Sequence, residues 1–215
     1  MLVDLALKGK SALIIGRGDE VRIRADQFVE EGARVTILTD EETKNSNHFR
    51  KGKLEIRQEN LSRWKFVLQK IRPFVVVVST RYHVLDEKIA GYARTLSHLV
   101  YVVDRPQLND INMTGVAKLG DVRVAVSTQG LSPAMAGILR RKIESIIAPE
   151  DILLVKLQGE VRSTLKKQIS DPERRKKLVY RLIRDKKTLS FLKSKRFEEA
   201  RTRALEIIAA NSKIV

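Results

Sequence analysis

The chain has 215 residues, of which 43% are hydrophobic and none is cysteine, which excludes disulfides, thiolate nucleophiles and thiolate metal sites. Its length fits one large or two small domains. The formal net charge is +16, and residues 151–215 carry more than half of it, which suits a polyanionic partner or a solvated, salt-bridge-rich helical surface.

The first predicted element is a short apolar strand over residues 12–15 that turns on Gly16 and Gly18 into a helix beginning near Asp19. Gly16 would allow a tight turn, Gly18 would let the backbone approach a pyrophosphate, and the N–H groups of the helix would hold the phosphates. Val21 replaces the third glycine or alanine of the dinucleotide-binding fingerprint. The alternative is an α/β domain whose turn glycines serve only backbone geometry.

The second predicted strand covers residues 35–38 and is followed by Asp40. This carboxylate stands about 20 residues past the glycines, where it can accept hydrogen bonds from the adenosine ribose hydroxyls. Because a carboxylate there would repel a 2′-phosphate, Asp40 favours NAD over NADP.

Strands and helices continue to alternate up to residue 112. A weak strand over residues 54–56 and a short helix over 61–71 precede the all-apolar strand 74–78. Helically spaced apolar residues between 85 and 96 lead to a strand over 98–103. This order predicts a parallel sheet covered by helices.

Ligands of an open parallel sheet bind at the carboxyl ends of its strands, where this chain places several polar residues. Ser79 and Thr80 follow the valine-rich strand and would lie beside the nicotinamide ribose, unless they are ordinary loop residues. Asp104 follows the strand 98–103, where a carboxylate can act as a general base or orient a substrate proton. The alternative for Asp104 is a turn or cap residue, since Pro106 is close by.

The pattern changes after residue 113. Residues 116–118 and 122–126 read as an antiparallel hairpin, and Ser132 and Pro133 begin an apolar-faced helix that ends before Pro149. The loop 127–133 is rich in hydroxyl groups and runs into that helix N-terminus, where it can bind an anion, or where Ser132 simply caps the helix.

From residue 151 onward the chain is predicted to be helical, with a second capped start at Asp171 and Pro172. The predicted fold is therefore α/β: a Rossmann-like parallel-sheet domain over residues 1–113, a small α+β dimerisation region over 114–150, and a helical domain over 151–215. The apolar hairpin and helix at 116–147 lack an obvious partner within the chain.

Neither a membrane span nor a metal site is predicted. No apolar run approaches about 18 residues, and the first residues lack the basic segment and apolar run of a secretory signal, so we expect a cytoplasmic protein with no membrane partner. His48, His83 and His98 show no metal-ligand spacing. We expect no nucleic-acid partner either, because the aromatic residues of the basic region are predicted to lie in helix cores and not to stack on bases: Tyr180, Phe191 and Phe197.

The order and spacing of several short motifs resemble one family. The sequence resembles the stand-alone precorrin-2 dehydrogenases, some of them also sirohydrochlorin ferrochelatases, that correspond to the N-terminal part of siroheme synthase. The resemblance spans nearly the whole chain. It rests on residues 7–10, 16–18, 31–36, 79–80, 102–106 and 124–133, and on Gly159 to Arg162 with Arg174 and Arg175 in the helical region.

The resemblance implies that the protein oxidises precorrin-2 to sirohydrochlorin with NAD and works as a homodimer. It leaves open whether the protein also inserts iron. Asp104 stands at the family's main catalytic position, and an anionic tetrapyrrole suits a basic protein. The tetrapyrrole cleft would be lined by Ser127, Thr128, Gly130 and Ser132. The predicted contacts to the cofactor are Gly16, Arg17, Gly18, Asp19, Glu20, Asp40, Glu41, Ser79 and Thr80.

The chain departs from the family pattern at several positions. Arg17 replaces a glycine of the turn, Val21 replaces a small residue, and Ile23 replaces an arginine. Residues 111–115 replace the usual Phe-x-x-Pro-Ala that lines the active-site cleft. These departures leave an alternative open, which is a divergent tetrapyrrole-binding carrier or regulatory protein on the same fold without redox activity.

Overall fold

The computed structural model describes residues 2–42, 53–96 and 98–212, and it divides into two compact units, Met1–Met113 and Thr114–Val215. His48 lies outside the described residues. The unit boundary falls at the predicted end of the first domain, while the second unit holds both the predicted dimerisation region and the predicted helical domain.

The first unit is built on a parallel five-stranded sheet with the spatial order β3-β2-β1-β4-β5. Because the chain moves outward from β1 on one side and returns to β4 on the other, the carboxyl ends of β1 and β4 form the topological switch point where such sheets bind ligands. The strands are β1 (Ser11–Gly16), β2 (Arg34–Thr39), β3 (Leu54–Gln58), β4 (Val75–Ser79) and β5 (Leu99–Val102).

Helices cover both faces of this sheet, which explains why its central strands are apolar at consecutive positions. Leu13 and Ile15 of β1 face one core, while Ala12 and Ile14 face the other, and Val75 to Val78 of β4 are all fully buried. The helices are α1 (Asp19–Glu30), α2 (Trp64–Ile71) and α3 (His83–Thr95), with 3₁₀ turns at Leu61–Arg63 and Pro106–Leu108.

The second unit begins with the predicted hairpin, which is antiparallel, and continues as helices. Two of its helices have the caps that the sequence predicts: the Ser132 hydroxyl accepts the Met135 N–H at 3.2 Å, and the Asp171 carboxylate accepts the Glu173 N–H at 3.0 Å. The elements are β6 (Gly115–Leu119), β7 (Val122–Val126), α4 (Pro133–Ile146), α5 (Pro149–Gln168), α6 (Pro172–Ile183), α7 (Lys186–Lys193) and α8 (Phe197–Ser212).

A separate apolar core holds α5 to α8 together, and it corrects one prediction. Leu178 and Leu182 of α6 point into this core, and Phe191 and Phe197 pack partly against it. Tyr180 is 52% exposed, so its predicted core position is wrong. Two residues correspond to about 200° of helix rotation, which turns Tyr180 away from the face that Leu178 and Leu182 bury.

Among the described residues, no helix is long and apolar enough to cross a membrane.

The N-cap of α7 gives a test of what holds this helical core together. The Asp185 carboxylate accepts the Thr188 N–H and hydroxyl, each at 2.8 Å, and pairs with Arg203. We expect Asp185→Ala to lower the free energy of unfolding by about 1 kcal/mol, as is usual for a lost N-cap, while Asp185→Asn keeps the cap and costs less. Denaturant unfolding of the three proteins at neutral pH checks this, and equal losses in both variants would contradict it.

The same carboxylate predicts a pH dependence. Burial raises the pKa of Asp185, but the hydrogen bonds from Thr188 and Arg203 outweigh this and leave the pKa below its ordinary value. Because the folded state has the lower pKa, Asp185 stabilises the fold above its ordinary pKa of about 3.9, and this stability is lost as the pH falls through the folded pKa. Acid titration of unfolding should show a smaller loss for Asp185→Asn than for the natural sequence.

Candidate functional site

The turn after β1 is shaped by a close approach of two strands. A Cβ on Gly16 would lie 2.1 Å from the Ser79 carbonyl oxygen, and the Arg17 N–H donates to that same oxygen at 2.9 Å. No side chain fits between these backbones, so position 16 requires glycine. The ends of β1 and β4 are thereby locked together at the switch point of the sheet.

The N-terminus of α1 opens directly from this turn. Gly18 has a left-handed φ of 81° and provides no side-chain cap, so the first turn of the helix keeps unused N–H groups that favour an anion. Asp19 and Glu20 lie in this first turn and pair with Arg22 and Arg24 of the same helix. A glycine turn that leads into an uncapped helix at a switch point fits the phosphates of a dinucleotide.

Arg17 and Asp40 form a two-pronged ion pair across the ends of β1 and β2. The Arg17 Nε donates to Asp40 Oδ1 at 2.5 Å, and its Nη2 donates to Oδ2. Its Nη1 donates to the Tyr82 hydroxyl at 2.9 Å, and the guanidinium lies 5.0 Å from that ring. The Arg17 guanidinium holds the pKa of Asp40 below its ordinary value. Both carboxylate oxygens that the sequence assigns to the ribose hydroxyls are thus already accepting hydrogen bonds.

Glu41 lies next to the phosphate side of the turn. Its carboxylate accepts the Gly18 N–H at 2.8 Å, and its own N–H donates to the Thr39 hydroxyl. The Glu41 carboxylate therefore takes one of the N–H groups that a pyrophosphate would use.

Ser79 and Thr80 have different surroundings at the end of β4. Ser79 is partly buried and supplies the carbonyl that contacts the Gly16 turn. Thr80 is fully buried, and its hydroxyl donates to the buried Asp86 at 2.6 Å while accepting the Tyr82 N–H at 3.1 Å. The Thr80 hydroxyl therefore stabilises the turn, and because Thr80 is fully buried, a ribose could reach it only if the turn opened.

Two residues of this turn, Arg81 and Tyr82, are not among the site residues that the sequence predicts. Arg81 has a left-handed φ of 66° and is exposed, and a Cβ on Gly18 would lie 2.3 Å from its Nη2. The guanidinium of Arg81 thus lies over the glycine turn, where it can meet a phosphate. A basic and an aromatic residue directly after the polar end of β4 were the available signal.

Asp104 is exposed at the carboxyl edge of the sheet, in a turn after β5 with a left-handed φ of 59°. It lies near the Tyr101 phenol, over which the Arg24 guanidinium stacks at 5.4 Å from the ring centre. Burial raises the pKa of Tyr101, the Arg24 charge opposes this, and the charges of Glu20 and Asp104 add to it. Asp104 thus adds a negative charge to the surroundings of Tyr101, an interaction that the sequence alone did not indicate.

The hydroxyl-rich loop belongs to the second unit and satisfies most of its own polar groups. The Thr128 hydroxyl donates to the Ser132 carbonyl and accepts the Ser132 N–H, each at 3.1 Å. The Ser127 hydroxyl accepts the Gln129 N–H, and Ser132 caps α4. At Gly130 the φ is 83° and an added Cβ would meet nothing within 4 Å. The loop is a self-supported structure with an open side at Gly130, and its contact with substrate stays a prediction.

No group of three metal-binding side chains comes together within residues 2–42, 53–96 and 98–212.

A protein-family model described as "Putative NAD(P)-binding" matches residues 3–115, which is nearly all of the first unit and the first two residues of the second. This match confirms the prediction of a nicotinamide dinucleotide as the cofactor class.

Curated relatives agree with the resemblance read from the sequence. A precorrin-2 dehydrogenase of Methanosarcina barkeri is 31% identical over 137 residues, covering 64% of this chain and 60% of that protein. Siroheme synthases of Hydrogenovibrio crunogenus and Nitrosospira multiformis are 26% and 28% identical, covering 80% and 83% of this chain but only 36% and 38% of theirs. The chain thus matches less than two thirds of the length of the precorrin-2 dehydrogenase and less than two fifths of the length of each siroheme synthase.

The solved structure of a precorrin-2 dehydrogenase, SirC, has the same fold. The TM-score is 0.75 at 21% sequence identity, and the alignment covers 96% of this chain and 99% of that one. The predicted Rossmann-like sheet followed by C-terminal helices is confirmed.

The Glu41 contact predicts an unusual gain of affinity. We expect Glu41→Gln to tighten binding of NAD by about fivefold, because a repelling unit charge about 4 Å away contributes about 1 kcal/mol in water and the Gly18 N–H becomes easier to release. Isothermal titration calorimetry measures the change, with Glu42→Gln as the neighbouring control. Weaker binding in Glu41→Gln would show instead that Glu41 contacts the cofactor, as the sequence predicts.

Proposed function

Because this chain belongs to the NAD(P)-binding family whose model spans residues 3–115, we propose that it is a precorrin-2 dehydrogenase that forms sirohydrochlorin with NAD as the oxidant. The observation that carries the proposal is the turn at Gly16, which is closed against the Ser79 carbonyl and opens an uncapped helix. The relatives named precorrin-2 dehydrogenase and siroheme synthase support the choice of substrate.

The residues that would hold the dinucleotide all lie at the carboxyl edge of the sheet. The backbone of Gly16 to Gly18 and the first turn of α1 would bind the phosphates, with Arg81 above them. Asp40 would accept hydrogen bonds from the ribose hydroxyls once one of its hydrogen bonds from Arg17 is released. When bound, the nicotinamide supplies the acceptor for a hydride from the tetrapyrrole.

The remaining half of the oxidation is the loss of a proton from the substrate, which Asp104 would accept. Its carboxylate is exposed at the same edge of the sheet as the glycine turn, as an accessible base requires. The positive net charge of the protein suits the carboxylates of the tetrapyrrole.

The dehydrogenase is tested by anaerobic addition of precorrin-2 and NAD while the absorbances of NADH and sirohydrochlorin are followed together. We expect a rate above that of spontaneous oxidation, and a loss of about two orders of magnitude in kcat for Asp104→Asn if it is the general base. Asp26→Asn, the same change at an exposed position of α1, is the matched control.

Two other outcomes of this assay have distinct meanings. Full activity of Asp104→Asn would remove the catalytic role of Asp104 and leave the dehydrogenase standing. Binding of sirohydrochlorin without any oxidation would favour the carrier alternative. That alternative is supported by the hydrogen bonds that already occupy the Asp40 carboxylate and the Gly18 N–H. Metal insertion would be tested in the same preparation by adding ferrous iron to sirohydrochlorin.

A homodimer formed through α4 also belongs to this proposal, together with a cytoplasmic location. Ala136 is the only buried residue of α4, while Met135, Ile138, Leu139 and Ile146 leave an apolar stripe exposed at helical spacing. An apolar stripe of this kind indicates a protein partner, and a second copy of this chain would cover it symmetrically.

We expect Ile146→Lys to convert a dimer into a monomer in sedimentation velocity at micromolar concentration, because it places a charge within the proposed apolar contact. Ile146 is 77% exposed, so the change leaves the fold of the subunit intact, as circular dichroism would verify. The control is Val84→Lys, at a position of α3 that is 66% exposed. A monomeric natural protein, or a dimer that Ile146→Lys does not weaken, would contradict this interface.

A further inference from the structure

Asp40 is not the free carboxylate that selects NAD in such a site, because its side chain is already paired with Arg17. A carboxylate at the end of the second strand selects NAD because it accepts the ribose hydroxyls and repels a 2′-phosphate. Here both of its oxygens accept from Arg17, so its lone pairs are partly used and its charge is neutralised by a guanidinium in direct contact. Both effects weaken the discrimination that Asp40 alone would provide.

Arg17 is held where it can serve a different ligand group. Its guanidinium joins Asp40 after β2 to Tyr82 after β4, with one hydrogen bond and a stacking contact on the aromatic side. The Arg17 side chain remains 27% exposed and that of Asp40 24%, so solvent, and therefore a ligand, reaches the pair. A guanidinium presents five N–H donors and matches a phosphate in a two-pronged way.

The surrounding charges are consistent with a phosphate that enters at Arg17. Glu41 directly follows Asp40 in the sequence, but its carboxylate accepts the Gly18 N–H. Arg81, which lies over Gly18, adds a second cation on the same edge of the sheet. Asp19 and Glu20 are each paired with an arginine of α1.

We propose that Arg17 decides which dinucleotide this protein binds: by holding Asp40 it removes the barrier to a 2′-phosphate, so that NADP is accepted about as well as NAD. This inference rests on the nicotinamide-dinucleotide part of the proposed function, and it is independent of the tetrapyrrole substrate. It removes the selectivity for NAD that Asp40 predicts by itself.

The ratio of the two dissociation constants, measured by isothermal titration calorimetry without tetrapyrrole, tests the proposal. For the natural sequence we expect NAD⁺ and NADP⁺ to bind within about fivefold of each other. For Arg17→Gly we expect NADP⁺ to weaken by about thirtyfold relative to NAD⁺, since a phosphate of nearly two charges then faces a free carboxylate.

Two further variants separate an electrostatic role from a merely structural one. In Arg17→Gly combined with Asp40→Asn the repelling charge is gone, so the ratio should return toward that of the natural sequence even if both affinities fall. Arg34→Gln removes one positive charge at the amino end of β2, away from the site, and should leave the ratio unchanged.

Each contrary result has a definite meaning. A natural protein that prefers NAD⁺ by more than about twentyfold, a ratio that Arg17→Gly does not change, or binding of neither dinucleotide would overturn the proposal. If the ratios behave as expected but precorrin-2 is not oxidised, the dehydrogenase assignment fails and the role of Arg17 stands. If precorrin-2 is oxidised with NAD⁺ alone, the reverse holds.

Discussion

The close approach of two backbones at Gly16 is the constraint on which the candidate site depends. β1 and β4 are in close contact through Gly16 and the Ser79 carbonyl, and the short turn that follows β1 leads directly into α1. The same contact brings the turn after β4, with Arg81 and Tyr82, against the turn after β1. A side chain at position 16 would separate the strands and remove the helix N-terminus from the switch point.

Much of the fold could be predicted from the sequence because its signals are local. The valine run of β4, the caps at Ser132 and Asp171, and the glycines of the first turn each follow from a few neighbouring residues. The error at Tyr180 shows the limit of such local reasoning. Its helical spacing alone does not say which face is buried, and the choice is made by α5, α7 and α8, whose core receives Leu178 and Leu182.

The positions of the site residues could also be predicted, but their partners could not. Asp40 and Glu41 stand where parallel strands place them, since Ile15 is in register with Leu38 and two more residues bring Arg17 opposite Asp40. The hydrogen bonds that Arg17 and Glu41 then make depend on side-chain reach and on competing partners, which no spacing rule contains. In the sequence, Arg17 in place of a glycine therefore looks like the loss of a phosphate-binding turn. In the structure it adds a guanidinium that is held between Asp40 and the Tyr82 ring.

The pairing of the carboxylates determines what can attract a dinucleotide to this edge of the sheet. Asp19, Glu20 and Asp40 each contact an arginine, so their charges largely cancel before any ligand arrives. Attraction for the phosphates must then come chiefly from the fixed backbone N–H groups of the turn and the helix, supplemented by Arg81. Glu41 competes for one of those N–H groups. Dinucleotide affinity thus depends on how strongly the preformed backbone site binds the phosphates relative to the Glu41 carboxylate, which already occupies part of that site. In our proposal, Arg17 beside Asp40 then determines whether a ribose with a 2′-phosphate is accepted.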